Sequence, residues 1–190
     1  MLDNNEFNKL RSELESFDKQ REILIRKSRD IVKLSKLIIY SVHRNDMDGA
    51  SRQIEKIEKD KKIIEKIASH DCKLVYEGSY SMAMQEYVEA LCFFEFVKNK
   101  KMPSKSKLCV TTEDYLLGLC DLTGELGRRT VILAMEDFDE VMRIKEVVEQ
   151  IFGQFLKFDL RNGLLRKKSD AIKWNLKKIE EVIYDINIRK

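Results

Sequence analysis

Apolar residues recur at helical spacing along almost the whole chain. Leu10, Phe17, Leu24, Ile31 and Ile38 stand seven apart, joined by Leu14 and Val42. They predict a first helix from about Glu6 to Arg44, roughly 55–60 Å long. Ser28 and Ser35 share that stripe, where small side chains let another helix come close. Asn45-Asp46 and Asp48-Gly49 signal a turn, and a second helix then runs to about Ser69 with Ile54, Ile57, Ile64 and Ala68 on its buried face. The third helix, about Val75 to Asn99, is apolar over much of its surface, notably at Leu91-Cys92-Phe93-Phe94. Such a helix belongs at the centre of a bundle or at an oligomer interface. Lys98–Lys107, with the only proline and five lysines, reads as a loop. Thr111-Thr112-Glu113-Asp114 is a capping-type entry to a fourth helix that extends to about Ala134. An acidic helix follows from about Asp137, and Arg161-Asn162-Gly163 marks a further turn. The last helix carries Leu165, Ile172, Leu176, Ile179, Ile183 and Ile186 at 3/4 spacing. With no strand pattern and no internal repeat, the chain is expected to be all-α, an antiparallel bundle of about six to seven helices forming one domain over residues 1–190.

Composition narrows this further. A chain of 190 residues with 7 glycines and 1 proline has little material for the turns of an all-β fold, and 43% hydrophobic residues suffice for a core. The formal net charge is only +3, from 36 basic and 33 acidic side chains, so a nucleic-acid site must come from local patches rather than from a whole-protein field. Cys72, Cys92, Cys109 and Cys120 show no CxxC spacing and read as reduced thiols; His43 and His70 are too few and too separated for a zinc site. No stretch resembles a signal peptide or a membrane span, which points to a cytoplasmic protein.

Two segments carry candidate chemistry. Gln85–Ala90 places Glu86 and Glu89 at i,i+3, and Asp121–Leu126 places Asp121 and Glu125 at i,i+4, so each pair projects from one helical face. If those faces meet, four carboxylates converge. Like charges at close range raise one another's pKa, and a hard divalent cation, Mg²⁺ or Mn²⁺, relieves the repulsion. The alternative is a solvated or salt-bridged face, since Glu55/Glu58, Glu136/Asp139 and Glu146/Glu149 have the same spacing. The apolar setting of the first two pairs sets them apart, because burying a carboxylate is costly. Gly118, Gly124 and Gly127 fall in the helix bearing Asp121 and Glu125, where each costs about 0.8–1 kcal/mol of helix propensity. Close helix packing accounts for them, or room for a nucleic-acid backbone. Arg26, Arg29, Lys33 and Lys36 form a basic stripe on the first helix, and Arg166, Lys173 and Lys177 another on the last. Either is a solvated face or a phosphate-contacting surface. Tyr76, Tyr80, Tyr87 and Trp174 are candidates for base stacking or for packing.

At these residues the sequence resembles the translin family, and specifically its TRAX (translin-associated factor X) branch. Phe17-Asp18-Lys19 through Ser28-Arg29-Asp30-Ile31, with Ser35-Lys36 and His43-Arg44, is similar to the family's first helix. Gln85–Ala90 and Asp114–Leu126 resemble its two most specific motifs, and Leu165-Arg166, Asp170, Leu176, Lys178, Glu180, Tyr184 and Arg189 its C-terminal pattern. The resemblance implies an all-α bundle assembling into closed octamers around a cavity. It also implies that Glu86, Glu89, Asp121 and Glu125 match the catalytic, metal-holding acids of TRAX subunits, which are metal-dependent endoribonucleases acting on single-stranded RNA. Translin subunits bind RNA and DNA without cleaving. Retention of all four acids favours the TRAX-like nuclease with Mg²⁺ or Mn²⁺. The eukaryotic factor's N-terminal extension and translin's histidine-rich RNA-binding segment have no counterpart here, and the compact, lysine-rich composition points to an archaeal homo-oligomer.

Overall fold

The computed structural model describes residues 3–189; Met1, Leu2 and Lys190, the ends of the expected 1–190 domain, lie outside the described residues. Eight helices follow in order: α1 (Asn4–His43), α2 (Met47–Ala68), α3 (Cys72–Val75), α4 (Gly78–Asn99), α5 (Lys105–Leu108), α6 (Thr112–Leu133), α7 (Phe138–Phe155) and α8 (Leu164–Arg189). No strand occurs among the described residues. The six long helices are those the apolar periodicity predicts. α3 and α5 are single turns, too short to register as a period.

Side-chain caps set most boundaries. Asp46 accepts from the Gly49 amide and starts α2, so Asp48-Gly49 lies inside the first turn of that helix rather than in the connection. The α1–α2 turn passes instead through Asn45, whose φ of 59° is a conformation asparagine tolerates. Asp71, Ser104, Thr111 and Asp137 cap α3, α5, α6 and α7 in the same way. Each satisfies an amide that the helix leaves unpaired. The third predicted helix is divided, because the chain breaks at Tyr76-Glu77 between α3 and α4. The lysine-rich loop is shortened by α5, which Ser104 starts.

α1 packs on α2 and α4, α4 on α6, and α6 on α8, with α7 lying against α6 and α8. α4 is the centre, with Ala83, Val88, Ala90, Cys92 and Phe93 fully buried. The α1 stripe is buried from Leu24 through Ile31 and Ile38, with Ser28 and Ser35 beneath the same contact. Earlier in the stripe, Leu10 and Leu14 are exposed, because the first turns of α1 run past the helices it packs on. Cys92 and Cys120 are buried as small hydrophobes, whereas Cys72 and Cys109 are exposed. Among the described residues, no helix is long and apolar enough to cross a membrane.

Candidate active site

The close approach of α4 and α6 positions the site. A Cβ on Gly118 would lie 2.7 Å from Val88 Cβ and 2.8 Å from the Gln85 carbonyl oxygen, so only glycine lets the two backbones meet here. Gly124 and Gly127 would make only ordinary contacts of 3.7 and 3.8 Å. Packing therefore accounts for Gly118, whereas Gly124 is exposed and lines a cavity.

That cavity, about 350 Å³, is walled by Glu86 and Glu89 from α4, by Asp121 and Glu125 from α6, and by Lys168, Ala171 and Asn175 from α8. All four acids named from helical spacing thus reach one space. Glu89 is the deepest, 9% exposed, and the other three are half-buried. The competing acidic pairs lie elsewhere. Glu55, Glu136, Glu146 and Glu149 are exposed, Glu149 is paired with Lys145, and Glu58 accepts from the Tyr87 hydroxyl.

Two of the four acids have close partners. Lys168 Nζ donates to Asp121 Oδ2 at 2.5 Å and sits 3.4 Å from Gln85 Oε1. Gln85 in turn donates to Ser81 Oγ at 2.9 Å, and Ser81 donates to Asp114, at the N-terminus of α6. His43 Nε2 lies 2.5 Å from Glu125 Oε2, and Arg128 is 3.7 Å from the same oxygen. The His43 ring rests on Phe93, centroids 4.8 Å apart. Arg129 secures that end of α1 by donating to the Val42 carbonyl and to Asn45 Oδ1, both at 3.1 Å.

Burial, reinforced by Asp121, Glu86 and Glu125, pushes the Glu89 carboxyl up to about 8, against the opposing pull of Lys168. Burial also raises Glu86, opposed by Lys36 and reinforced by Asp121. Burial is thus the first cause of both shifts, and the neighbouring acids add to it. An all-carboxylate oxygen set of this kind suits a hard divalent ion. Among the described residues, no group of three or more His, Cys, Asp or Glu side chains is arranged to hold a metal ion. The four carboxylates match a hard divalent ion in donor type, while Asp121 is turned to Lys168 and Glu125 to His43.

Arg26, Arg29, Lys33 and Lys36 are all exposed on α1, and none forms an ion pair with a described residue. Their surroundings differ. Lys36 acts on Glu86, while Lys33 lines a separate groove with Asp30, Lys56 and Lys59 between α1 and α2. Tyr80 and Tyr87 are buried in the core and unavailable for base stacking, while Tyr76 is exposed. Trp174 is exposed with Lys173 and Lys177 over its ring.

Sequence reasoning missed Lys168 and His43 as neighbours of the acids. Lys168 lies outside the stripe of Arg166, Lys173 and Lys177. Its signal was the row Lys168, Ala171, Asn175 at helical spacing, where short side chains leave room beside a long basic one. His43 stood out only as a poor zinc ligand and as part of the first-helix resemblance, not as a partner of Glu125.

Comparison with known proteins agrees with this architecture. A family model described as the translin family matches residues 19–190. An uncharacterized protein of Methanocaldococcus jannaschii is 31% identical over 178 residues, covering 91% of this chain and 79% of that one. Translin of Gallus gallus is 40% identical over 78 residues, but the match spans only 34% of that protein. Translin-associated protein X of Pongo abelii is 27% identical over 226 residues, covering 96% of this chain and 78% of its own. Among solved structures, apo-NeC3PO superposes with a TM-score of 0.89 at 28% identity, covering 98% of both chains. AfC3PO in complex with duplex RNA also reaches 0.89, at 23% identity and 97% and 98% coverage, and shows the shared fold. A family match that takes in the bundle from the middle of α1 through α8, with both acidic motifs inside it, means that the chain belongs to the translin family.

Proposed function

We propose that this protein is a TRAX-like endoribonuclease that hydrolyses phosphodiester bonds of single-stranded RNA with Mg²⁺ or Mn²⁺, as a subunit of a closed homo-oligomer, an octamer on the family pattern. The observation that carries this reading is the convergence of Glu86, Glu89, Asp121 and Glu125 on one cavity, at the positions where the resemblance puts TRAX catalytic acids. The same four carboxylates would hold the metal. When bound, the ion supplies Lewis-acid charge opposite a scissile phosphate. The chain's own groups orient and move protons. His43 holds Glu125 in place, and one of the four carboxylates acts as general base towards water. The exposed cations Arg26, Arg29, Lys33 and Lys36 contact phosphates without reading sequence. Exposed apolar side chains on α6, in the turn after it and on α8, among them Val131, Met135, Tyr184 and Ile188, supply surface for assembly.

The test is incubation of end-labelled single-stranded RNA, duplex RNA and single-stranded DNA with the protein and Mg²⁺ or Mn²⁺, beside Glu125→Ala. Cleavage of single-stranded RNA by the wild type and not by the variant is expected. Equal cleavage by both would remove the catalytic assignment. A second reading, a translin-like oligomeric binder of single-stranded RNA or DNA, draws on the ion pair of Asp121 with Lys168 and the contact of Glu125 with His43, which engage two of the four carboxylates within the chain. Salt-sensitive retention of intact RNA after long incubation would favour it.

A further inference from the structure

Beside the four carboxylates, one basic side chain lines the acid cavity. Lys168 comes from α8, a helix that supplies none of the four carboxylates, and its ammonium is 2.5 Å from Asp121 Oδ2. Among the described residues its one other hydrogen-bond partner is Gln85 Oε1 at 3.4 Å, which leaves donor capacity unused. The ammonium is partly open to solvent, with 28% of the side chain exposed, so it can leave Asp121 without opening the core. A four-carbon stem gives it the reach to do so. A monovalent ammonium and a divalent ion require the same carboxylate oxygens, and both cannot have Asp121 as a close partner at once.

We propose that Lys168 is a tethered counter-cation that competes with the divalent ion for Asp121 and thereby sets the metal affinity of the site. The inference rests on the metal-site reading above and adds to it a residue that tunes occupancy without being a ligand. Lys168 neutralises part of the cluster and bridges α8 to α6; the ion, once bound, displaces the ammonium towards the cavity mouth. Removing the ammonium takes away both a competitor and a like charge, so binding should tighten rather than weaken. A purely structural lysine predicts the opposite, because losing the α6–α8 bridge would loosen the site. The Gln85 amide is tied to Ser81 and, at 3.5 Å, to Asp114, which leaves its side-chain oxygen facing Lys168.

The experiment measures Mn²⁺ binding by calorimetry on EDTA-stripped, full-length protein: wild type, Lys168→Met, Lys168→Arg and Glu89→Gln. Lys168→Met is expected to bind Mn²⁺ at least about tenfold more tightly, the scale of one nearby unit charge. Lys168→Arg should stay near wild type, and Glu89→Gln should bind much more weakly. Unchanged or weaker binding by Lys168→Met, alongside weakened binding by Glu89→Gln, would overturn the counter-cation while leaving the metal site standing. Absence of binding by every protein would overturn both. A second measurement needs no substitution. Acylation of Lys168 by an amine-reactive ester, followed by peptide mass spectrometry, should increase when Mn²⁺ is added to the wild type. No increase would count against displacement.

Discussion

Replacing Glu89 with glutamine should stabilise the EDTA-treated protein, and more so as pH rises. Glu89 is buried beside three other carboxylates, and its carboxyl is pushed from 4.5 up to about 8. Between those values the folded chain keeps a proton that the unfolded chain has lost. Stability therefore falls with rising pH across this window: the penalty is absent below about 4.5 and complete above about 8. Three to four pKa units at about 1.4 kcal/mol each set a ceiling of roughly 4–5 kcal/mol. Side-chain relaxation and the nearby Lys168 ammonium lower what is realised, and about 2–3 kcal/mol at pH 8.5 is expected. Glutamine keeps the shape and cannot ionise. Urea unfolding of both proteins at one concentration, from pH 5 to 8.5 in EDTA, reads the difference directly. The wild-type curve should fall relative to Glu89→Gln by up to about 1.4 kcal/mol per pH unit, the limit for one proton. Parallel curves would refute the account of a carboxyl held protonated by burial and its neighbours.

Other substitutions test separate parts of the structure. Gly118→Ala should lose about 1–3 kcal/mol in urea unfolding, because the new methyl meets Val88 and the Gln85 carbonyl at under 3 Å. Gly124→Ala, with its nearest neighbour at 3.7 Å, should be neutral or gain up to about 1 kcal/mol. His43→Ala removes the partner of Glu125 and the packing on Phe93, and a loss of about 2–4 kcal/mol is expected by thermal or urea melts. An unchanged melt would mean that the contact holds nothing in place. Charge reversal at Arg29 and Lys36 should weaken RNA retention and flatten its dependence on salt, measured by filter binding across a salt series.

The pairing of the four acids was legible because helical spacing is local. Residues three or four apart share a face whatever surrounds them, so Glu86 with Glu89 and Asp121 with Glu125 could be paired from the sequence. Their apolar setting singled out these two pairs, but that the faces of α4 and α6 meet was a condition only the packing could satisfy. The two single-turn helices were not legible, since a four-residue segment has no period and depends on caps such as Asp71 and Ser104. The α1 stripe was legible as a stripe but not in its extent. The same apolar spacing that buries Leu24 leaves Leu14 exposed, because burial depends on where the neighbouring helices end.

By itself, then, the sequence determined the helices, the face of each acid pair and the family. Only the tertiary structure decided what those acids meet. Lys168 is 47 residues from Asp121, and His43 is 82 from Glu125. No periodicity links them, and each pair exists only because α8 and the end of α1 pack beside α6. Burial, likewise, belongs to the assembled bundle. Glu86 and Glu89 sit a turn apart on one helix, yet only Glu89 is pushed to about 8, because depth in the cavity differs along the same face. Charge depends on the surroundings in three dimensions, and the chain order does not contain them.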